Sequence, residues 1–336
     1  METKRILITG ADGLLGSNLT RELINRGHEI TALVQPGRNP VTIEGLNIQK
    51  IEGDITDFDS LSKNCKDFDA IFHLAANTAL WPYRSEFIRK INVEGTVNML
   101  KLAKNLKVKK MVYVGTANSF TYGSLDNLGV EDTPYVCHKY GLDYMDSKRE
   151  AQENVLKAAK EGLPVTVLNP TFMFGKFDTN PNSGAMIVAV HDQKIPGFAP
   201  GGKNYICVKD AVIAAANALT MGRNGECYIL GNENLDFKTA FAKIGKVINV
   251  KPPTLIVPKP LLLLYGYLGT LIGKITGKAP TVSLAMVKIS CDCHYYSSTK
   301  AVKELKMPLS PIEEGVKECY DWLKAQDRKY FAKEAK

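Results

Sequence analysis

Tyr144 and Lys148 stand four residues apart in Tyr144-Met145-Asp146-Ser147-Lys148, inside a stretch, 143–160, whose pattern predicts a helix. Positions four apart share a helix face, so a phenol and an ammonium would enter one cleft together. A free phenol, with a pKa of about 10, is a poor proton carrier at neutral pH. A neighbouring ammonium favours the phenolate and would bring that value down towards the working range. The spacing alone describes a packed Tyr beside a solvated Lys equally well. Thr116 shifts the balance. It ends Met111-Val112-Tyr113-Val114-Gly115-Thr116, read as a strand, so its hydroxyl would emerge at the carboxyl edge of a sheet and reach a substrate carbonyl oxygen. Ser119 offers a second hydroxyl.

A partner for such a pair is encoded near the N-terminus. Thr9-Gly10-Ala11-Asp12-Gly13-Leu14-Leu15-Gly16 is a G-x-x-G-x-x-G turn between a short apolar strand and a run with helical apolar spacing. Gly10, Gly13 and Gly16 let the chain turn sharply and bring backbone N–H groups to a pyrophosphate at a helix N-terminus. The end of the second strand, Val34-Gln35-Pro36-Gly37-Arg38, lacks the acid that would bind ribose hydroxyls and repel a 2′-phosphate. Gln35 and Arg38 can instead hold that phosphate, which favours NADP(H) over NAD(H). Asp54, after the third strand, either accepts from an adenine amino group or caps its own turn.

The elements that must position these residues alternate regularly. Strands are predicted at 5–9, 29–34, 48–51, 70–74, 111–114 and 165–168, with helices near 14–24, 57–64, 86–106 and 143–160 between them. Near-continuous apolar strands with helical crossovers make an α/β, doubly wound parallel sheet, a Rossmann fold. The rhythm breaks after Pro170. Residues 171–205 are rich in Gly and Pro, 206–232 return to the first domain, and 233–336 complete a smaller C-terminal substrate lobe. The boundary of the cofactor domain is therefore set at 1–170.

With 45% hydrophobic and 23% charged residues the 336-residue chain is of ordinary globular composition. The net charge of +8 is spread, and the Lys107–Lys110 cluster suits a helix end, so no nucleic-acid partner is expected. Seven cysteines without framework spacing fit a reducing, cytoplasmic setting. Cys291-Asp292-Cys293-His294 lacks a second ligand pair in sequence, and no metal is expected. The apolar run 260–273 (PLLLLYGYLGTLIG) is too short to span a bilayer, which takes about 20 residues. It reads as a buried helix roofing an apolar pocket, with a peripheral membrane contact as the lesser reading.

Taken in order, TGADGLLG (9–16), GDITD (53–57), HLAA (73–76), INVEGTVN (91–98), VYVGTA (112–117), YMDSK (144–148) and NPT (169–171) resemble the extended short-chain dehydrogenase/reductases of the NAD-dependent epimerase/dehydratase superfamily. LVQPGR (33–38), AANTALW (75–81), CYILGNENL (227–235) and YYSSTKAVKEL (295–305) are similar to its dihydroflavonol-reductase-like branch. The resemblance implies that Thr116 polarises a carbonyl, Tyr144 is the acid/base, and Lys148 anchors ribose and lowers the phenol's pKa. It implies pyrophosphate at the backbone of Leu14 and Leu15, and adenine by Asp54 and Ile55. The nicotinamide ribose would lie by Leu74, Ala75 and Ala76, and the carboxamide by Pro170, Thr171 and Phe172. Trp81, Asn118, Ser119 and Phe174 are the candidate substrate contacts. Dimers through helices near 86–106 and 143–160 are implied by analogy.

The leading functional expectation is NADPH-dependent reduction of a ketone or aldehyde on an apolar small molecule. A nucleotide-sugar epimerase with tightly held NAD comes second, and a non-catalytic NADP-sensing protein third. A sugar dehydratase fits less well, because Ala117-Asn118 stand where its acidic pair would follow the Thr.

Overall fold

Strand β1 (Arg5–Thr9) alternates its side chains between two cores: Ile6 and Ile8 pack on one face, Leu7 on the other. That alternation places it in the middle of a covered sheet. The computed structural model describes residues 2–181, 183–326 and 330–331. Around β1 lie α1 (Leu14–Asn25), β2 (Glu29–Val34), β3 (Gln49–Glu52), α2 (Phe58–Asn64) and β4 (Ala70–His73). There follow α3 (Glu86–Arg89), α4 (Gly95–Asn105), β5 (Lys110–Val114), α5 (Asp143–Lys160) and β6 (Val165–Pro170). After β7 (Phe172–Phe174), α6 (Gly184–His191), β8 (Gly202–Cys207) and α7 (Val208–Met221), β9 (Cys227–Leu230) closes a seven-stranded sheet. Its order is β3-β2-β1-β4-β5-β6-β9 and every pairing is parallel. This is the doubly wound Rossmann arrangement.

One core joins Leu15, Leu19 and Leu23 of α1 to Ala211, Ala214 and Ala218 of α7. The small alanines let α7 approach α1 closely. On the opposite face, Met99 and Leu102 of α4 meet Met111 and Tyr113 of β5 and Val155 of α5. Fully burying each such Leu or Met contributes roughly 1.5–3 kcal/mol. The order of strands brings the loops after β1, β4, β5 and β6 to one carboxyl edge, where a ligand crevice forms.

A second sheet, ordered β10-β8-β11 with β7 also on β8, uses β10 (Glu233–Asp236) and β11 (Cys293–His294). It is backed by α8 (Phe237–Ile248) and α12 (Ile312–Lys324) over Phe174, Tyr205, Phe241, Ile312 and Val316. The remaining helices are α9 (Lys259–Thr276), α10 (Leu284–Ser290) and α11 (Thr299–Leu305).

Two expectations change. The helix expected over 86–106 is interrupted at Lys90–Glu94 by a π-helical turn between α3 and α4; such turns insert one extra residue and often mark functional sites. The apolar run expected as a buried roof does form α9, but only its Gly266, Thr270 and Gly273 are buried. Most of its large side chains face outward, because the small residues, which approach a neighbour most closely, make most of the contact.

Candidate active site

The glycine turn has the geometry a dinucleotide needs. Gly10 sits at φ +70°, in the left-handed region that favours glycine. A Cβ on Gly16 would lie 2.0 Å from the Gly10 carbonyl oxygen, so no other residue fits. Gly13 caps α1 without a side chain, and the first turn holds no acid. The N-terminal N–H groups and the positive end of the helix dipole are thus left for a pyrophosphate, with Leu14 and Leu15 leading the helix. The chain's own residues fit a dinucleotide here.

At the end of β2, Gln35 is exposed and its carbonyl accepts from Arg38 N. Arg38 reaches back to the glycine turn, with Nε 2.9 Å from Asp12 Oδ2. The guanidinium thus lies against the glycine turn, where a carboxylate faces it. Asp54 accepts through Oδ1 from both N and Oγ1 of Thr56 at 2.8 Å, the turn-capping role. Ile55 is buried, and its carbonyl accepts from Asn98 Nδ2.

The loop after β4 is held by a buried polar chain. Thr9 Oγ1 accepts from Ala75 N at 3.1 Å and meets His73 Nδ1 at 2.8 Å, while His73 Nε2 meets Thr96 Oγ1. Burial, with Lys148 nearby, lowers His73 to about 3, so it stays neutral. Leu74 and Ala76 flank Ala75 and are half-buried. Asn92, on the π-helical turn, receives Asn77 N and donates to Asn77 O and to Ser147 Oγ. It ties the β4 loop to α5. Sequence reasoning gave Asn92 no role; its place in INVEGTVN was the available signal.

Thr116, Tyr144 and Lys148 converge. Thr116 is buried at the start of the turn after β5, its Oγ1 accepts from Asn118 N, and its hydroxyl adjoins the Tyr144 phenol. Burial raises the Tyr144 pKa, and the Thr116 hydroxyl pulls it back in part. Lys148 Nζ donates to the Val114 carbonyl at 2.7 Å and lies 4.6 Å from the centre of the Tyr113 ring. Burial lowers this ammonium to about 7. The Lys148 ammonium is thus engaged by the Val114 carbonyl rather than by the phenol.

Beyond the trio, the candidate substrate residues separate. Asn118 is bound to the second sheet through His294 Nδ1, 3.3 Å away. His294 stacks on Tyr122 and meets Tyr140 Oη, and Tyr122 and Tyr140 both donate to Asp292. Asp292 and His294 of the cysteine-rich run are thus used in a hydrogen-bond network. Trp81 packs edge-on against Tyr83 beneath α9. Pro170 is buried at the end of β6, and Thr171 Oγ1 donates to Asn204 and Leu230. Two candidates are corrected. Phe174 is 0% exposed and stacks on Tyr205 in the third core, so it cannot line a cleft. Ser119 is equally buried, its Oγ without a partner among the described residues. Lys203 had gone unnoticed. Lys203 stands opposite His294 across the second sheet, and its ammonium lies 4.9 Å from the Phe172 ring and meets no carboxylate among the described residues. Burial lowers it to about 8. Only the register of β8 on β11 and β7 brings it there, and spacing gives no sign of that.

Comparison with known proteins adds to this geometry. The model of the NAD dependent epimerase/dehydratase family matches residues 6–231. A Synechocystis sp. protein named for dihydroflavonol 4-reductase is 29% identical over 94% of this chain and 93% of its own length. The 2-alkyl-3-oxoalkanoate reductase of Shewanella oneidensis is 26% identical over 92% of this chain and 84% of its own. Among solved structures, gox2253 superposes with a TM-score of 0.84 at 30% identity, covering 97% of this chain and 99% of that one.

Proposed function

The chain belongs to the NAD dependent epimerase/dehydratase family and is an NAD(P)-dependent oxidoreductase, and from that premise we propose that it uses NADPH to reduce a ketone on an apolar small molecule carrying a carboxylate near the carbonyl. The observation that carries the reading is the Thr116 hydroxyl adjoining the Tyr144 phenol, with the Lys148 ammonium on the Val114 carbonyl of the same strand end. Bound nicotinamide supplies the hydride. Thr116 holds the carbonyl oxygen, and Tyr144 gives it the proton as negative charge develops there. A phenol whose pKa is raised by burial keeps its proton at neutral pH, which suits reduction. Lys148, once drawn from Val114, would hold ribose hydroxyls beside the phenol.

NADP(H) is favoured by the exposed Gln35 and the inward-turned Arg38, with no acid at the end of β2. The carboxylate is favoured by Lys203, a cation without an acidic partner among the described residues, and by the 3-oxo acid in the name of the Shewanella oneidensis relative. The test is NADPH and NADH consumption with 3-oxo acids and with neutral ketones of matching chain length. Turnover of the acids is expected to lead. The substitution Tyr144→Phe should cut kcat by about 10²–10⁴ while NADPH still binds. If no carbonyl compound oxidises either cofactor, and the purified protein keeps NAD⁺ through dialysis, the epimerase reading replaces this one.

A further inference from the structure

Helix α9 presents an apolar surface that the function above leaves unused. Leu261, Leu264, Tyr265, Leu268, Ile272 and Ile275 are each 47–76% exposed along its 18 residues. At 1.5 Å per residue this is a strip about 27 Å long. Exposed apolar patches of such extent mark interaction sites. The helix is anchored mainly by its small residues, with Leu262 packed on the core beneath the second sheet. Gly266 sits against Val287 and Leu284 of α10, Gly273 against Pro280 and Trp81, and Thr270 Oγ1 bonds Tyr83 Oη at 2.9 Å.

Along the sequence, the segment that contains it is one-signed. Residues 237–291 hold eight lysines and no arginine, aspartate or glutamate, so the other 35 cationic side chains of the protein balance its 35 acids one for one. The whole excess of +8 therefore sits in the segment that contains α9. Seven of those lysines are exposed, among them Lys259, Lys274, Lys278 and Lys288. Only Lys243 has an ion-pair partner among the described residues.

We propose that α9 lies flat in the surface of an anionic lipid bilayer, its leucines and isoleucines in the acyl boundary and the flanking lysines on the headgroups. An interfacial helix joins an apolar face to lysine flanks, and anionic headgroups attract each nearby cation. A second copy of this chain would bring an equal block of lysines against the first, which opposes pairing through this face. No helix among the described residues is long and apolar enough to cross a membrane, so the contact is superficial. Through Tyr83 and Trp81, α9 is tied to the loop that leaves the cofactor groove at Ala75, so docking sets that loop at the lipid surface. The docking does not rest on the reductase reading and is measured without cofactor or substrate.

The experiment is flotation of the full chain with vesicles of phosphatidylcholine and phosphatidylglycerol, against phosphatidylcholine alone. The protein should float with the anionic vesicles and sink with the neutral ones, and about 0.5 M salt should release it by screening. The double substitution Leu268→Glu/Leu271→Glu, at exposed positions, should lower the bound fraction at least tenfold with an unchanged thermal melt. Tyr265→Trp should gain quenching by bromine-labelled acyl chains. The proposal is overturned if wild type does not float with anionic vesicles, if the Glu variant floats as wild type does, or if Tyr265→Trp floats unquenched. It is equally overturned if the Glu substitutions abolish a concentration-dependent dimer and leave vesicle binding unchanged.

Discussion

Lys148 donates to the carbonyl oxygen of Val114 at 2.7 Å, and not to the neighbouring phenol. Burial lowers the ammonium from its ordinary 10.5 to about 7. The Tyr144 shift comes from burial and Thr116 alone. The residue pair therefore behaves as two buried groups, each held away from its charged form by desolvation.

A pH dependence follows. Below pH 7 Lys148 is charged in both folded and unfolded chains, and the folded protein bears the cost of burying it. Between about 7 and 10.5 the unfolded chain binds more protons, so the stability of the cofactor-free protein rises with pH there. Replacing the side chain by Lys148→Met removes that term. The difference in Tm between variant and wild type should favour the variant most near pH 6–7 and shrink steadily towards pH 10. Melting curves across this range check it; a constant difference contradicts it.

Gly16→Ala should abolish cofactor binding. Its Cβ would lie 2.0 Å from the Gly10 carbonyl and 2.9 Å from Ala11 Cα, both backbone atoms that cannot swing aside. Forced overpacking of this kind costs about 1–3 kcal/mol, and here the strain opens the turn that receives pyrophosphate. Fluorescence titration with NADPH should show at least a tenfold weaker Kd, with a lower Tm. Wild-type affinity would be inconsistent with a pyrophosphate site in this loop.

Arg38 and Asp12 should move cofactor preference in opposite directions. Removing the guanidinium with Arg38→Ala should lower kcat/KM for NADPH about tenfold and leave NADH nearly unchanged, the scale of one exposed charge-assisted contact. Releasing it with Asp12→Asn should raise the NADPH to NADH ratio, because the carboxylate now 2.9 Å from Arg38 also repels a 2′-phosphate. Ratios that stay fixed in both variants would argue for NAD(H).

Lys203 predicts a pH-dependent KM. Its ammonium loses its proton near 8. KM for a 3-oxo acid should therefore rise as pH passes 8, and KM for a neutral ketone should not. Lys203→Met should raise KM for the acid about tenfold at pH 7, flatten the pH profile and leave the ketone alone. Equal effects on both substrates would place Lys203 outside the recognition of the acid.

Much of the site was legible because its signals are local. The Tyr144–Lys148 spacing matches the helix period, Thr116 ends an apolar strand, and the glycines of 10–16 stand between a strand and a helix. Asn92 was not, since its work is to join the Asn77 loop to Ser147, which lies 55 residues further along the chain than Asn92 itself. Phe174 misled, because an aromatic on a short strand looks the same whether it faces a cleft or Tyr205 in a core.

The order of residues by itself determined the alternation of strands and helices, the shape of the phosphate turn and the faces that carry Thr116, Tyr144 and Lys148. These depend on steric limits and periodicities that act within a few residues. Tertiary structure alone decided what each charged group meets: Val114 for Lys148, Asp12 for Arg38, and the Phe172 ring with no acid among the described residues for Lys203. It also decided which side of α9 packs. That helix is apolar nearly all round, so hydropathy could not choose a face, and the close fit of Gly266, Thr270 and Gly273 against distant segments did.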